Sequence, residues 1–162
     1  MKTTAHYALN LISGSALILF ELLFISPTAY SQAIQSAGGA GDDRGYAITT
    51  DTAGNVYITG SFQGTATFGS TMLTSAGSDD VFVAKYNAAG ALLWAQQGGG
   101  AKSDQASGIT TDAAGNVYVT GFFEGAATFG STTLTGIGFW DVFVVKYDAA
   151  GAVVWAQQGG GA

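Results

Sequence analysis

Residues 41–101 and 102–162 are one unit written twice. DTAGNVYITG at 51–60 returns as DAAGNVYVTG at 112–121, and DVFVAKYNAAGALLWAQQGGGA at 80–101 returns as DVFVVKYDAAGAVVWAQQGGGA at 141–162. The offset is 61 throughout, no gap is needed, and 41 of the 61 aligned positions are identical. A repeat of this length restricts the chain to architectures in which one small unit stacks on its neighbour. A short lead-in, 34–40, precedes the first unit, and its SAGGA resembles the QGGGA that ends each copy.

Each unit reads as β-structure. Runs rich in Val, Ile, Phe, Tyr and Thr lie between glycine-centred turns. In the first copy the runs are 46–50, 56–62, 81–86 and 91–96, with turns at 51–55 and 87–90. An Asp or Asn opening such a turn can bond backbone N–H groups two residues on, and Gly and Asn tolerate positive φ. The Gly/Thr-rich stretch 64–79 predicts a small extra hairpin around Gly69-Ser70. No segment holds a 3.6-residue period for ten residues, and glycine interrupts every candidate helix. Glycine accounts for 25 of the 162 residues, yet it follows no three-residue period and there is one proline, which excludes collagen. A chain that is 48% apolar is also too hydrophobic for a disordered tail.

VFVAKY and ALLWAQ carry apolar groups on both faces, as strands covered on two sides do. A four-stranded antiparallel sheet of this kind needs a sheet packed on each face, and radial stacking of such sheets is the β-propeller. The expected fold is therefore all-β: two tandem 61-residue, four-stranded propeller blades, 41–101 and 102–162, following an N-terminal signal helix. The marks GNVYITG at 54–60, the Phe62 to Gly69 stretch, FVAKY at 82–86, and Trp94 before Gly98-Gly99 resemble the SBBP β-propeller repeat of bacterial secreted and surface proteins. The second copy carries them at 115–121, 123–130, 143–147, and at Trp155 before Gly159-Gly160. The family is similar to the NHL-type propeller repeats. The resemblance implies an exported propeller, often one part of a much longer surface protein. It brings no catalytic residues to carry over.

Propellers close with typically four to eight blades, and two blades leave an apolar face open at each end. Three readings remain open, in order of preference. The array continues beyond Ala162, or several identical chains close a ring, or two units form a sandwich with a rearranged core.

Residues 1–33 read as a secretory signal peptide. Lys2 precedes the apolar run 8–26, Pro27 ends it, and small residues follow. Cleavage after Ser31 or after Ala33 fits the small-x-small rule. The rival is a retained membrane anchor, disfavoured by Glu21 inside the run and by the lack of a basic cluster after it. The expected location is outside the cytoplasm, extracellular or at the cell surface, with the periplasm a further option. Membrane contact is expected only through this segment if it stays uncleaved.

The remaining composition bears on chemistry. There is no cysteine, and the one histidine, His6, lies in the signal segment, so nucleophilic triads are excluded after cleavage. Five Lys+Arg against eleven Asp+Glu give a net charge of −6, which argues against a nucleic-acid partner. Asp51, Asp79, Asp80, Asp112, Glu124 and Asp141 could act as paired carboxylates only if two of them face each other across a cleft. Asp51 and Asp112 recur at one place in both copies, as do Asp80 and Asp141, which favours turn-shaping over catalysis. No enzyme activity, cofactor or metal is expected. Asp51 with Asn55 could hold calcium, but the spaced acids and closing glutamate of an EF-hand are missing.

Differences between the copies are the best pointer to binding. Ser61 becomes Phe122, Ser75-Ala76 becomes Gly136-Ile137, and Ser78-Asp79 becomes Phe139-Trp140. Phe122, Phe139 and Trp140 are the candidate ligand contacts, since exposed aromatic rings suit sugar stacking or protein contact. The opposing reading is that Phe139-Trp140 cover an end of the sheet. The expected role is a non-enzymatic propeller module for adhesion, display or protein interaction. Its partners would be further blades, in the same chain or in identical subunits, and a surface glycan or protein. The alternatives are a carbohydrate-binding propeller using the aromatic loop and, more remotely, a propeller hydrolase or lyase.

Overall fold

The Asp-x-x-Gly-Asn turns fold each unit back on itself, and the strands they join set the architecture. The computed structural model describes residues 36–161, all within one unit, Gln32–Ala162. The signal segment 1–33 lies outside the described residues. The strands are β1 (Ala37–Gly39), β2 (Arg44–Thr50), β3 (Val56–Phe68), β4 (Thr71–Tyr86) and β5 (Leu92–Gly99), then β6 (Asp104–Thr111), β7 (Val117–Phe123), β8 (Ala126–Phe129), β9 (Thr132–Thr135), β10 (Asp141–Tyr147) and β11 (Val153–Gly159). All pair antiparallel.

Blade 1 is the meander β2-β3-β4-β5, and blade 2 is its copy β6-β7-β10-β11. The expected extra hairpin is present, but in blade 1 it is not a separate insertion. β3 and β4 run straight through into it, pairing Val56↔Tyr86 to Gln63↔Asp79 and, after a three-residue shift in register, Thr65↔Thr74 to Phe68↔Thr71. In blade 2 the same extension is broken off as β8 and β9.

This extension ties one blade to the next. β8 pairs with the end of β5, Gly98↔Phe129 and Gly99↔Thr128, so the hairpin of blade 2 completes the edge of blade 1. β1 makes the same pairing with the hairpin of blade 1, Ala37↔Phe68 to Gly39↔Ala66. The lead-in therefore stands, 61 residues earlier, where the end of a preceding blade's last strand would stand. The SAGGA likeness has that structural meaning.

The seam between the blades is apolar. Tyr57, Val81 and Val83 from blade 1 pack with Val117, Val119, Phe123, Phe143, Val145 and Tyr147 from blade 2, all buried. Phe129 packs at a tilt against Phe143 at 4.8 Å and lies against Gly98, where a Cβ would come within 2.2 Å of its ring. A second cluster, on the other face of blade 1, joins Phe62, Phe68, Leu73, Phe82 and Tyr86. Both faces of a blade are thus built to be covered, as the two-sided apolar pattern of VFVAKY requires.

Candidate interaction surface

Three features of the repeat were candidates for chemistry or binding: the acidic turns, the remaining carboxylates and the divergent aromatics. The acidic turns are structural. Asp51 Oδ1 accepts from the N–H groups of Ala53 and Asn55 (3.0 and 2.9 Å), and Oδ2 accepts from Asn55 Nδ2 and the Tyr57 hydroxyl (2.7 and 3.0 Å). Gly54 takes φ 79° to close the turn. Asp112 repeats the whole network with Ala114, Asn116 and Tyr118. The bond from the Asn side chain is the main reason each carboxyl sits below its ordinary pKa. Four donors occupy the acceptor sites that a cation would need. Asp51→Ala should lower the melting temperature by several degrees and Asp51→Asn by less, since the amide keeps one acceptor oxygen; thermal unfolding monitored by circular dichroism checks this.

Of the remaining carboxylates Asp80 meets another acid, Asp104, inside the seam, whereas Asp141 lies apart and accepts from Ile137 N–H at 2.7 Å. Asp80 of β4 and Asp104 of β6 are both buried. Asp80 Oδ1 and Asp104 Oδ2 lie 3.0 and 2.9 Å from the point where a Cβ on Gly99 would sit. Asp80 Oδ2 accepts from Ala76 N–H at 2.9 Å, and Asp104 Oδ2 accepts from Gly100 N–H at 2.6 Å, while Asp80 Oδ1 has no partner. Burial is the main cause that pushes the carboxyls up, to about 6 for Asp80 and about 7 for Asp104. Asp79 adds to the effect at Asp80, while Asp80 and Glu124 add to it at Asp104. Buried between strands of the two blades, the pair is a seam element. Asp104 escaped the sequence reading, although with Asp43 it too recurs at the 61-residue offset.

The divergent aromatics meet. Phe122 packs edge-on against Trp140 at 4.9 Å, and Phe139 against Trp140 at 5.9 Å. Phe139 is 72% exposed, with Ile137 exposed nearby in sequence. The cluster does not stand alone on a loop. Phe122 faces Val142 across β7 and β10, on the side of blade 2 turned away from blade 1. That side also carries Tyr118, Thr120, Val144, Lys146 and Trp155. Its blade 1 counterparts are the residues the seam covers. Val81 and Val83 are fully buried, whereas Val142 and Val144 are 53% and 37% exposed.

One residue pair shows how the seam is gripped. Trp94 reaches from blade 1 onto blade 2, stacking on Tyr147 at 6.3 Å and donating from Nε1 to the Ala149 carbonyl at 3.2 Å. Lys85, in cation–π contact with Tyr57, donates to the same carbonyl at 3.3 Å. Gly151, at φ 87°, leaves the room the indole needs, because a Cβ there would lie 2.7 Å from the ring.

Comparison with known proteins agrees with this geometry. The SBBP β-propeller repeat model matches residues 34–61 and 93–121. The second match begins in β5, the last strand of blade 1, and runs into β7 of blade 2, so it spans the seam, while the first runs from the lead-in into β3. An uncharacterized WD repeat-containing protein, L264, of Acanthamoeba polyphaga mimivirus is 33% identical over 128 residues, covering 68% of this chain. The chain corresponds to 9% of the length of that relative. With its 61-residue blades and their shared seam, the chain carries two SBBP β-propeller repeats, at 34–61 and 93–121.

Proposed function

We propose that this chain is a non-enzymatic, exported propeller module that works as an interaction scaffold. The observation that carries the reading is the open face of blade 2, where apolar side chains of the kind buried at the seam stand ready for a partner. The seam carboxylates are buried between the blades, and the acidic turns engage their carboxylates in their own hydrogen bonds. Export rests on the charged start, apolar run and small-residue end of 1–33. Expression in a bacterial host, with the N-terminus of the exported product determined by mass spectrometry, tests it. The expected product begins at Gln32 or Ile34, and an intact Met1 in the cytoplasmic fraction would refute export.

A second reading has its own support. The convergence of Phe122, Phe139 and Trp140 favours a carbohydrate platform, because a ring pair set edge-to-face leaves a flat face for a sugar. Glycan-array binding by the full chain, abolished in Trp140→Ala with unchanged circular dichroism, is the expected result under this reading. Binding that survives Trp140→Ala would remove it.

A further inference from the structure

Two carboxylates are buried at the seam with no positive side chain beside them, and we propose that they hold a calcium ion, bridged between Asp80 of blade 1 and Asp104 of blade 2. The site lies at the junction of two whole blades. It goes beyond the scaffold reading, which does not depend on it.

Asp80 is 1% exposed and Asp104 is fully buried. Charges that leave water are paired with an opposite charge or coordinate a metal. Among the described residues the ion pairs are Arg44 with Asp42 and Lys102 with Glu124, and neither includes this pair. Asp79 and Glu124 add negative charge nearby rather than offset it. Backbone N–H groups hold each carboxylate by one oxygen, Ala76 at Asp80 Oδ2 and Gly100 at Asp104 Oδ2. That leaves Asp80 Oδ1 buried with no partner, and Asp104 Oδ1 with only the long 3.4 Å bond from Glu124 N–H. An unpartnered carboxylate oxygen in the interior is costly, and a cation is the ligand that satisfies it and balances the charge together.

Gly99 keeps the space between the carboxylates clear. A Cβ there would lie 2.7 Å from Asp80 Cγ, 3.0 Å from Asp80 Oδ1 and 2.9 Å from Asp104 Oδ2. The two oxygens therefore lie within about 6 Å of each other. An ion with Ca–O bonds of about 2.4 Å bridges oxygens about 5 Å apart, and Asp80 Oδ1, with no bond to break, can close the rest. Both carboxylates offer oxygen alone, which suits a hard cation. Calcium tolerates irregular coordination, whereas magnesium demands an octahedron of shorter bonds. Asp79 and Ser103, next in sequence to the pair, are partly exposed, so water from the rim can complete the shell. The repeat builds the same parts elsewhere: Gly38 lies against Asp43, and Gly160 against Asp141, 61 residues to either side. Asp43 Oδ1 is again without a partner. Each of these is one carboxylate of the pair, so among the described residues the whole site occurs once.

The test uses the full chain, freed of metal by a chelator, with calcium chloride as the probe. At pH 8, calcium about a hundredfold above a Kd of about 0.1 mM should raise the melting temperature by roughly 5–10 °C. Isothermal titration calorimetry should give one ion per chain. Asp104→Asn should lose both responses while still unfolding cooperatively in chelator. Asp80→Asn, the same change on the other blade, should behave alike, so the result does not rest on one variant. Asp79→Asn, at the rim, should keep both responses. The wild-type response should shrink at pH 5, where protons compete for the pair, because burial raises the two carboxyls to about 6 and about 7. Neither a calorimetric signal nor a thermal shift at pH 8 overturns the proposal. A shift matched by sodium chloride at equal ionic strength overturns it too, since that is screening of the net charge of −6. A response that Asp104→Asn and Asp80→Asn retain, or one as large at pH 5 as at pH 8, places the ion elsewhere and overturns it as well.

Discussion

Trp94→Ala should cost about 3 kcal/mol of stability, and Trp155→Ala about 1 kcal/mol or less, although the two residues occupy the same place in near-identical repeats. Trp94 loses its stacking on Tyr147, its edge contact with Tyr57 at 6.3 Å and the bond to the Ala149 carbonyl. It also leaves a void over Gly151, which the positive φ of that glycine cannot close. Trp155 loses only a tilted contact with Tyr118 at 6.2 Å and its packing on its own blade, and 36% of its surface is in water from the start. Urea unfolding measures both. The contrast isolates the seam, because helix propensity, strand propensity and turn chemistry are the same at the two sites. Equal costs would mean that the tryptophan serves its own blade and that the blades do not brace each other.

That contrast also marks the boundary of what the sequence makes legible. Turns and strands are local, so Asp51-x-x-Gly54-Asn55 and the Val/Ile/Phe/Tyr runs could be read directly, and so could the hairpin at Gly69. Which face of a blade is covered is not local. Val81 and Val142 sit in identical DVFV strings, yet one is buried and the other half in water, because only one has a neighbour on that side. The reach of a hairpin into the next blade, Phe129 onto Gly98, was invisible for a related reason. Nothing in the composition of ATFG says whose edge it will complete. Asp104 was passed over because it resembles an ordinary residue at the start of a strand. Its character comes from Asp80, 24 residues away and on a different blade. The aromatic trio was legible as a divergence between copies. Its place on the open face, rather than on an independent loop, needed the register of Phe122 opposite Val142.

The seam carboxylates give the second large effect, and its sign can be worked out. Both carboxyls lie above their ordinary value in the folded chain, about 6 for Asp80 and about 7 for Asp104. Between roughly pH 4 and pH 7 the native state therefore binds more protons than the unfolded state. Stability is highest on the acid side of that window and falls as pH rises through 6 and 7. The groups facing the pair sharpen the effect. Asp79 and Glu124 add negative charge, and Lys102, which could offset it, is 2.6 Å from Glu124 at the exposed rim. Allowing for screening by water that reaches the seam, the loss should be about 2 kcal/mol between pH 5 and pH 8. Asp104→Asn tests the cause. Its amide oxygen can still accept from Gly100 N–H, its nitrogen takes the place of Oδ1 and forfeits only the long 3.4 Å bond from Glu124 N–H, and the like-charge repulsion is gone. The variant should be more stable than wild type at pH 8 by about 2 kcal/mol, and its stability should change little between pH 5 and pH 8. A substitution that removes a charge and strengthens the fold is an unusual expectation, and chemical denaturation at the two pH values decides it. If Asp104→Asn weakens the chain at pH 8, or leaves the wild-type pH profile in place, the pair is not what makes this seam sensitive to protons.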